Sequence, residues 1–323
     1  MYSQGRLELE GAAELSKAMN DGAIAPGDLP AGCFYTAAGP GAATARRIQQ
    51  ELPTRFPGVR PDLPPMSDDQ EIVAYGYLQV SAAFKHPFFE RKGSFTDSSG
   101  KRTEVQSFGS YQGHGGGNSV LQAQEQVQVL YSKSEEFQGS KAEFALDLCR
   151  DSQPVQVIIA QIEPAQTLAE TLVSLDQRIA AWHKAAQDAA PSSTDDNATM
   201  ERKRERLEEL QYGESLEETL SVPALAWRIQ HRFGEFEGRK ITNPGPYNDW
   251  LLTRAQQMID FRLDKNGVVL ASDSLIVAAR GVVRNPRSFV VTGPFLIVLK
   301  NRASGRPFFV MWVDNAELLA KAP

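Results

Sequence analysis

His114-Gly115-Gly116-Gly117 is the stretch of this chain best suited to chemistry of its own, because backbone amides that follow a histidine can stabilise an acyl oxyanion. Acyl transfer also needs a nucleophile held in a Gly-x-Ser-x-Gly elbow. The nearest string, Gly213-Glu214-Ser215-Leu216-Glu217, lacks the last glycine and lies among charged residues of helical composition. The glycines therefore read as a flexible loop. Gly39-Pro40-Gly41-Ala42-Ala43-Thr44-Ala45 stands between a strand and a helix, the setting of a dinucleotide fingerprint, but the third glycine is missing and no βαβ repeat follows. It reads as a turn that opens a helix. His86, His114, His183 and His231 are scattered, and with Cys33 and Cys149 they form no ligand pair at one- or four-residue spacing. No two carboxylates are set apart by spacing as a general acid and base. The expectation is a protein that is not an enzyme and that has neither metal nor cofactor.

The elements that would carry any functional group fit one large α+β domain, since 323 residues with 41% hydrophobic side chains can bury a sizeable core. The 34 basic and 40 acidic residues give a net charge of -6, which argues against nonspecific binding to a polyanion, so no nucleic-acid partner is expected. No apolar run is long enough to span a membrane, and Met1-Tyr2-Ser3-Gln4-Gly5-Arg6 opens no secretory signal, so the encoded start predicts a cytoplasmic address. Cys33 and Cys149 are expected to be buried free thiols.

Residues 7–19 suit a short strand running into a helix, 31–36 another strand, and 44–52 a helix stopped by Pro53. Residues 72–84 are mostly uncharged and fit a strand buried on both faces. Strands follow at 126–131, 143–149 and 155–162. Leu168, Leu172, Leu175, Ile179 and Trp182 then form one apolar stripe on a helix over 164–186, which predicts docking on a sheet. A charged helix over 200–210 carries interleaved acids and bases, as a solvated face does. Residues 187–218 read as a surface insertion.

In the last third, Gln257-Met258-Ile259-Asp260-Phe261-Arg262-Leu263-Asp264-Lys265-Asn266-Gly267 leads through a low-charge segment to Phe289-Val290-Val291-Thr292-Gly293-Pro294-Phe295-Leu296-Ile297-Val298-Leu299. The turn Asn301-Arg302-Ala303-Ser304-Gly305-Arg306 then reaches Phe308-Phe309-Val310-Met311-Trp312-Val313-Asp314-Asn315. This order resembles the tail of a serpin, in which a strand ends at an acidic-Gly hinge, an exposed loop comes next, and two buried strands with a Pro-Phe pair close the fold. Further upstream, Tyr77-Leu78-Gln79-Val80-Ser81-Ala82-Ala83-Phe84-Lys85-His86-Pro87-Phe88 resembles the family's central strand and the Phe-Lys segment after it. Gly100-Lys101-Arg102-Thr103-Glu104-Val105-Gln106 resembles the hairpin after that segment, and Val222-Pro223-Ala224-Leu225-Ala226-Trp227-Arg228-Ile229 the family's Leu-Pro-Lys-Phe strand.

The resemblance implies one serpin-like domain over residues 1–323, truncated at its N-terminus relative to the family. It implies a large mixed β-sheet, further sheets, packed helices and an exposed reactive-centre loop near the C-terminus. Asp264, Gly267, Val268 and Asp273 would form the hinge region, and the scissile bond would fall near Arg280-Gly281, with Arg284 close by. Arg280, alone between small residues, suits a trypsin-like pocket or is an ordinary exposed loop arginine. The implied function is inhibition of serine or cysteine endopeptidases by a suicide substrate, acting as a monomer on a trypsin-like serine protease. The alternative is a noninhibitory binding or structural protein whose loop is only a substrate, because Val268, Leu270 and Asp273 stand where inhibitors carry small residues. The family is found outside cells, whereas the encoded start predicts the cytoplasm.

Overall fold

The structure is a computed structural model and describes residues 7–21, 28–30, 32–66, 71–79, 82–110, 117–133, 142–190, 195–210, 219–268 and 288–322. In chain order the elements are α1 (Ala13–Asp21), β1 (Phe34–Pro40), α2 (Gly41–Arg55), β2 (Glu71–Gln79), β3 (Ala82–Ala83), β4 (Phe89–Thr96) and β5 (Arg102–Gly109). Then come α3 (Gly117–Glu125), β6 (Gln128–Lys133), β7 (Glu143–Asp147), β8 (Val155–Gln161), α4 (Leu168–Asp188), α5 (Asn197–Leu210) and β9 (Thr219–Pro223). The chain closes with β10 (Leu225–Arg232), β11 (Arg239–Lys240), β12 (Leu251–Leu263), β13 (Gly267–Val268), β14 (Ser288–Val290), β15 (Phe295–Asn301) and β16 (Pro307–Val313). Few helices among several sheets make this the mixed α+β class that the sequence predicts. Packing divides the chain into two compact units, Met1–Val80 with Trp227–Phe261, and Ser81–Ala226 with Arg262–Pro323.

The first unit is built on a mixed sheet in the order β1-β2-β12-β10, with β11 beside β12. β1 runs antiparallel to β2, and β12 runs parallel to it from Leu251↔Glu71 to Asp260↔Gln79. The antiparallel β1–β2 pair sets aside a dinucleotide unit, which needs parallel strands. Side chains alternate along β2, so Val73, Tyr75 and Tyr77 face α2 and pack on Ile48, Leu52 and Phe56, while Ile72 faces Leu9, Leu252 and Ala255 on the other side. That explains why this strand is apolar at almost every position. The helix expected to stop at Pro53 runs on to Arg55. The carbonyl that Pro53 leaves without its donor belongs to Gln49, which is exposed and open to solvent.

The second unit has a five-stranded antiparallel sheet, β16-β15-β8-β7-β6, and a four-stranded sheet, β14-β9-β5-β4, among the described residues. α4 lies on one face of the five-stranded sheet, where Leu172, Leu175 and Ile179 meet Ile158, Leu296 and Val298. Its start is fixed by a capping box in which the Thr167 side chain accepts from the Glu170 amide and the Glu170 side chain accepts from the Thr167 amide. Leu168, the first residue of the predicted stripe, is exposed instead, because it precedes the turn that reaches the sheet. On the opposite face Phe295 meets Phe95 of β4, ring centroids 6.2 Å apart, and Phe144 meets Phe289 of β14 at 5.3 Å. Phe295, Ile297 and Val313 are buried, whereas Phe309, opposite Leu299 on the edge strand β16, is half-buried.

The run over residues 222–229 is two strands rather than one: β9 ends at Pro223, and β10 belongs to a different sheet. Pro223 has no N–H to continue a ladder, and Ala224 donates to Gln106 before the chain turns away. In the second unit, Asp147 is wholly buried and accepts from Arg302 Nη2 at 2.8 Å and Gln156 Nε2 at 2.9 Å, while Arg302 also donates to the carbonyls of Ser152 and Cys149. Cys33 and Cys149 are buried free thiols, and burial pushes the Cys149 thiol up to about 11. No described helix is long and apolar enough to cross a membrane.

Candidate functional site: the turn after β12

β12 ends in a tight turn that the sequence specifies residue by residue. Asp264 N donates to Gly267 O at 3.1 Å and Gly267 N to Asp264 O at 3.0 Å, so the chain reverses over Lys265 and Asn266. The Asp264 carboxylate accepts from the amide of Asn266 at 2.8 Å and from Arg262 Nε at 2.7 Å. A short acidic side chain that holds the amide two residues ahead is a local turn former. Gly267 has φ +106°, a region that favours glycine, and a β-carbon there would collide with Ala82 O and the amide of Phe84.

The segment after the turn is anchored as well. Gly267–Val268 forms the antiparallel pair β13–β3 with Ala82–Ala83. Phe84 N donates to Asn266 O at 3.0 Å and Phe88 N to Lys265 O at 2.8 Å. Beneath them the rings of Phe84, Phe88 and Phe108 pack with centroids 5.0 to 6.0 Å apart. Between the two phenylalanines, buried Gln126 grips the backbone of His86, its Nε2 donating to His86 O at 2.5 Å and its Oε1 accepting from His86 N at 3.2 Å. Burial, and then the neighbouring Lys85, hold the His86 imidazole below its usual value.

Of the hinge residues named from the sequence, the structure brings Asp264, Gly267 and the backbone of Val268 together. Asp273, Arg280, Gly281 and Arg284 lie outside the described residues, as do His114 and residues 213–217. The chain is described again at β14, which pairs in parallel with β9. Sequence reasoning missed that Lys265 and Asn266 work through their carbonyls. It also missed that residues 82–88 receive the turn; the four-residue spacing of Phe84 and Phe88 in a stretch with Pro87 is the one hint available beforehand.

The first unit supplies a second piece of geometry. β2 and β12 are direct parallel neighbours along nine residues of β2, from Glu71 to Gln79. Tyr75 and Tyr77 lie on the α2 side of this pair, their hydroxyls buried and without a hydrogen-bond partner among the described residues. Burial pushes both phenols up to about 12. They add no group that titrates near neutrality. The assembled parts hold backbone in place and offer no catalytic constellation among the described residues.

No protein-family model matches the sequence, and a search of curated proteins found no match. The fold is similar to solved serpin structures. Against the thermophilic serpin tengpin in its native state, identity is 12% and the TM-score 0.49, over 85% of this chain and 63% of that one. Against Serpin48 of the insect Tenebrio molitor, described as highly specific, identity is 13% and the TM-score 0.47, over 96% of this chain and 72% of that one. Against serine protease inhibitor (serpin)-12 of Manduca sexta the values are 13% and 0.47, over 88% and 68%. The chain spans less than two thirds of the length of tengpin.

Proposed function

We propose that the chain is a serpin-like inhibitor of serine or cysteine endopeptidases, acting as a suicide substrate through the loop between β13 and β14. In this reading residues 1–323 are one serpin-like domain with a surface insertion over 187–218. The hinge carries the reading. β12 runs into a turn whose Gly267 has no room for a side chain, and the sequence after it is uncharged as far as Ser272. Arg280 is the first cation after Lys265, in small surroundings that suit the specificity pocket of a trypsin-like serine protease.

The protease's hydroxyl would attack the carbonyl carbon of Arg280, form an ester there, and release the amine of Gly281 as the peptide bond breaks. The cut strand, tethered at Gly267, would then join the first sheet between β2 and β12. Those strands are parallel neighbours, so a strand entering in the opposite sense could pair with both. Each backbone hydrogen bond gained is worth about 1 kcal/mol net, and buried side chains add to it.

A second reading rests on Val268, Leu270 and Asp273. An unpaired Asp273 carboxylate carried into a sheet would cost several kcal/mol or force its protonation, and a slow insertion lets the protease escape. The protein would then be a noninhibitory binding or structural module. Incubation with trypsin followed by denaturing electrophoresis separates the two. The inhibitory reading expects a complex that survives denaturation, a cut after Arg280 or Arg284, and a cleaved protein more heat-stable than the intact one. Cleavage there with neither complex nor stabilisation establishes the second reading, and first cutting within residues 201–206 overturns the loop assignment.

A further inference from the structure

β10 is an edge strand of the first sheet: β12 lies on one side of it, and no described strand lies on the other. β1, at the opposite edge, alternates buried positions with half-buried or exposed ones, as a strand covered on one face does. β10 does not, because every residue from Arg228 to Arg232 is exposed. Ile229 is 42% exposed, one of four large apolar side chains left in solvent among the described residues.

The backbone of β10 can be oriented from one bond. The amide of Phe233, the next residue, donates to Ala255 O of β12 at 2.9 Å. The N–H and C=O of a strand residue point to the same side, and successive residues alternate. The main-chain groups of Arg228, Gln230 and Arg232 therefore point away from β12. Arg232 O is taken by the amide of Gly234 at 3.0 Å, and the rest form a row suited to another strand.

The side chains sort by face. Trp227 stacks on Phe261 at 5.4 Å and His231 meets Phe233 edge-on at 4.5 Å, so Trp227, Ile229 and His231 form one apolar and aromatic row. Arg228, Gln230 and Arg232 form the other. Arg228 and Arg232 each pair with one carboxylate, Asp260 and Glu237, yet their side chains remain 57% and 59% exposed. A second copy of β10 laid antiparallel on the first would put arginines against arginines on one face, which is unfavourable.

We infer that β10 is a docking edge for an extended segment of another protein whose side chains alternate carboxylate and apolar. The segment adds as a strand, with its carboxylates against Arg228 and Arg232 and its apolar side chains against Trp227 and Ile229. The inference is independent of protease trapping, which concerns the loop and the opposite side of β12. The probe is a fluorescein-labelled, end-capped peptide of four Val-Glu repeats, followed by anisotropy on the full chain. Saturable binding is expected, with slowed amide exchange at Gln230, and Arg228→Ala or added salt should weaken it several-fold. Gln230→Pro removes an outward N–H without touching the β12 ladder and should weaken binding at least tenfold while the melting curve stays unchanged. If that variant does not fold, a peptide N-methylated at alternate residues makes the same test on the native protein and should not bind. Equal binding of the N-methylated peptide, or of a peptide with Lys in place of Glu, overturns the inference, as does absence of binding by the parent peptide.

Discussion

The carbonyl oxygen of Ala82 occupies the space that a β-carbon on Gly267 would need. The two residues belong to the short β13–β3 ladder that fixes where the chain leaves the end of β12. Gly267→Ala must therefore push β3 away as well as hold a strained φ, and it should cost about 1–3 kcal/mol. Gly305, also at positive φ but with open space around it, is the control, and its alanine variant should cost less. Urea denaturation of both variants measures the difference, and equal losses would mean that the close approach is not real.

Phe295→Ala should destabilise the second unit by about 3–5 kcal/mol, because the ring is fully buried against Phe95 between two sheets. Phe309→Ala should cost clearly less, since that side chain is half-buried on an edge strand. Chemical denaturation of the pair tests the placement of the two strands; a larger loss at Phe309 contradicts it.

Arg302→Ala leaves the wholly buried Asp147 carboxylate without its cation and should cost about 3–5 kcal/mol. Adding Asp147→Asn should recover part of that loss, because the stranded charge is removed. Thermal melts of the two single variants and the double variant supply the cycle, and strict additivity would show that the two groups do not interact.

Glu143 gives a pH signature. Burial works to raise its carboxyl, but hydrogen bonds from Arg178 at 2.6 Å and from the amide of Glu163 at 3.2 Å outweigh it and hold the group below its usual value. A carboxyl lowered in the folded state stabilises fully above its unfolded value of about 4.3 and loses that contribution as the pH falls through the folded value. The stability gap between the native protein and Glu143→Gln should be widest near about pH 6–7 and close toward about pH 3. A gap that does not change with pH would place Glu143 outside the ion pair.

Much of the fold is legible in the sequence wherever burial imposes a period. The stripe of Leu172, Leu175 and Ile179 marks the face of α4 that docks, and the uninterrupted apolar run of β15 marks a strand covered on both sides. Boundaries are less legible where solvent or tertiary pairing decides. Pro53 sits inside a helix because Gln49 is exposed, and a run that reads as one strand over residues 222–229 divides at Ala224 because a distant segment steps in there, Ala320 donating to the carbonyl of Ala224 and accepting from the amide of Gln106. In the turn after β12, Asp264 and Gly267 are visible as turn chemistry. The partners Ala82, Phe84 and Phe88 are not, because a contact between segments so distant in sequence leaves no local period.

The pairing of Ile72 with Leu252 bears on how the molecule is made. During synthesis the hairpin β4–β5 and the run β6–β7–β8 can form from neighbouring segments soon after they emerge. β2 must wait for β12, through the whole of the intervening chain, with the apolar residues Val73 and Tyr75 lacking Met258 beside them. Loop closure over such a span is slow. On the ribosome, the nascent protein therefore passes through a long interval with an unfinished first sheet and its apolar strand β2 only partly covered.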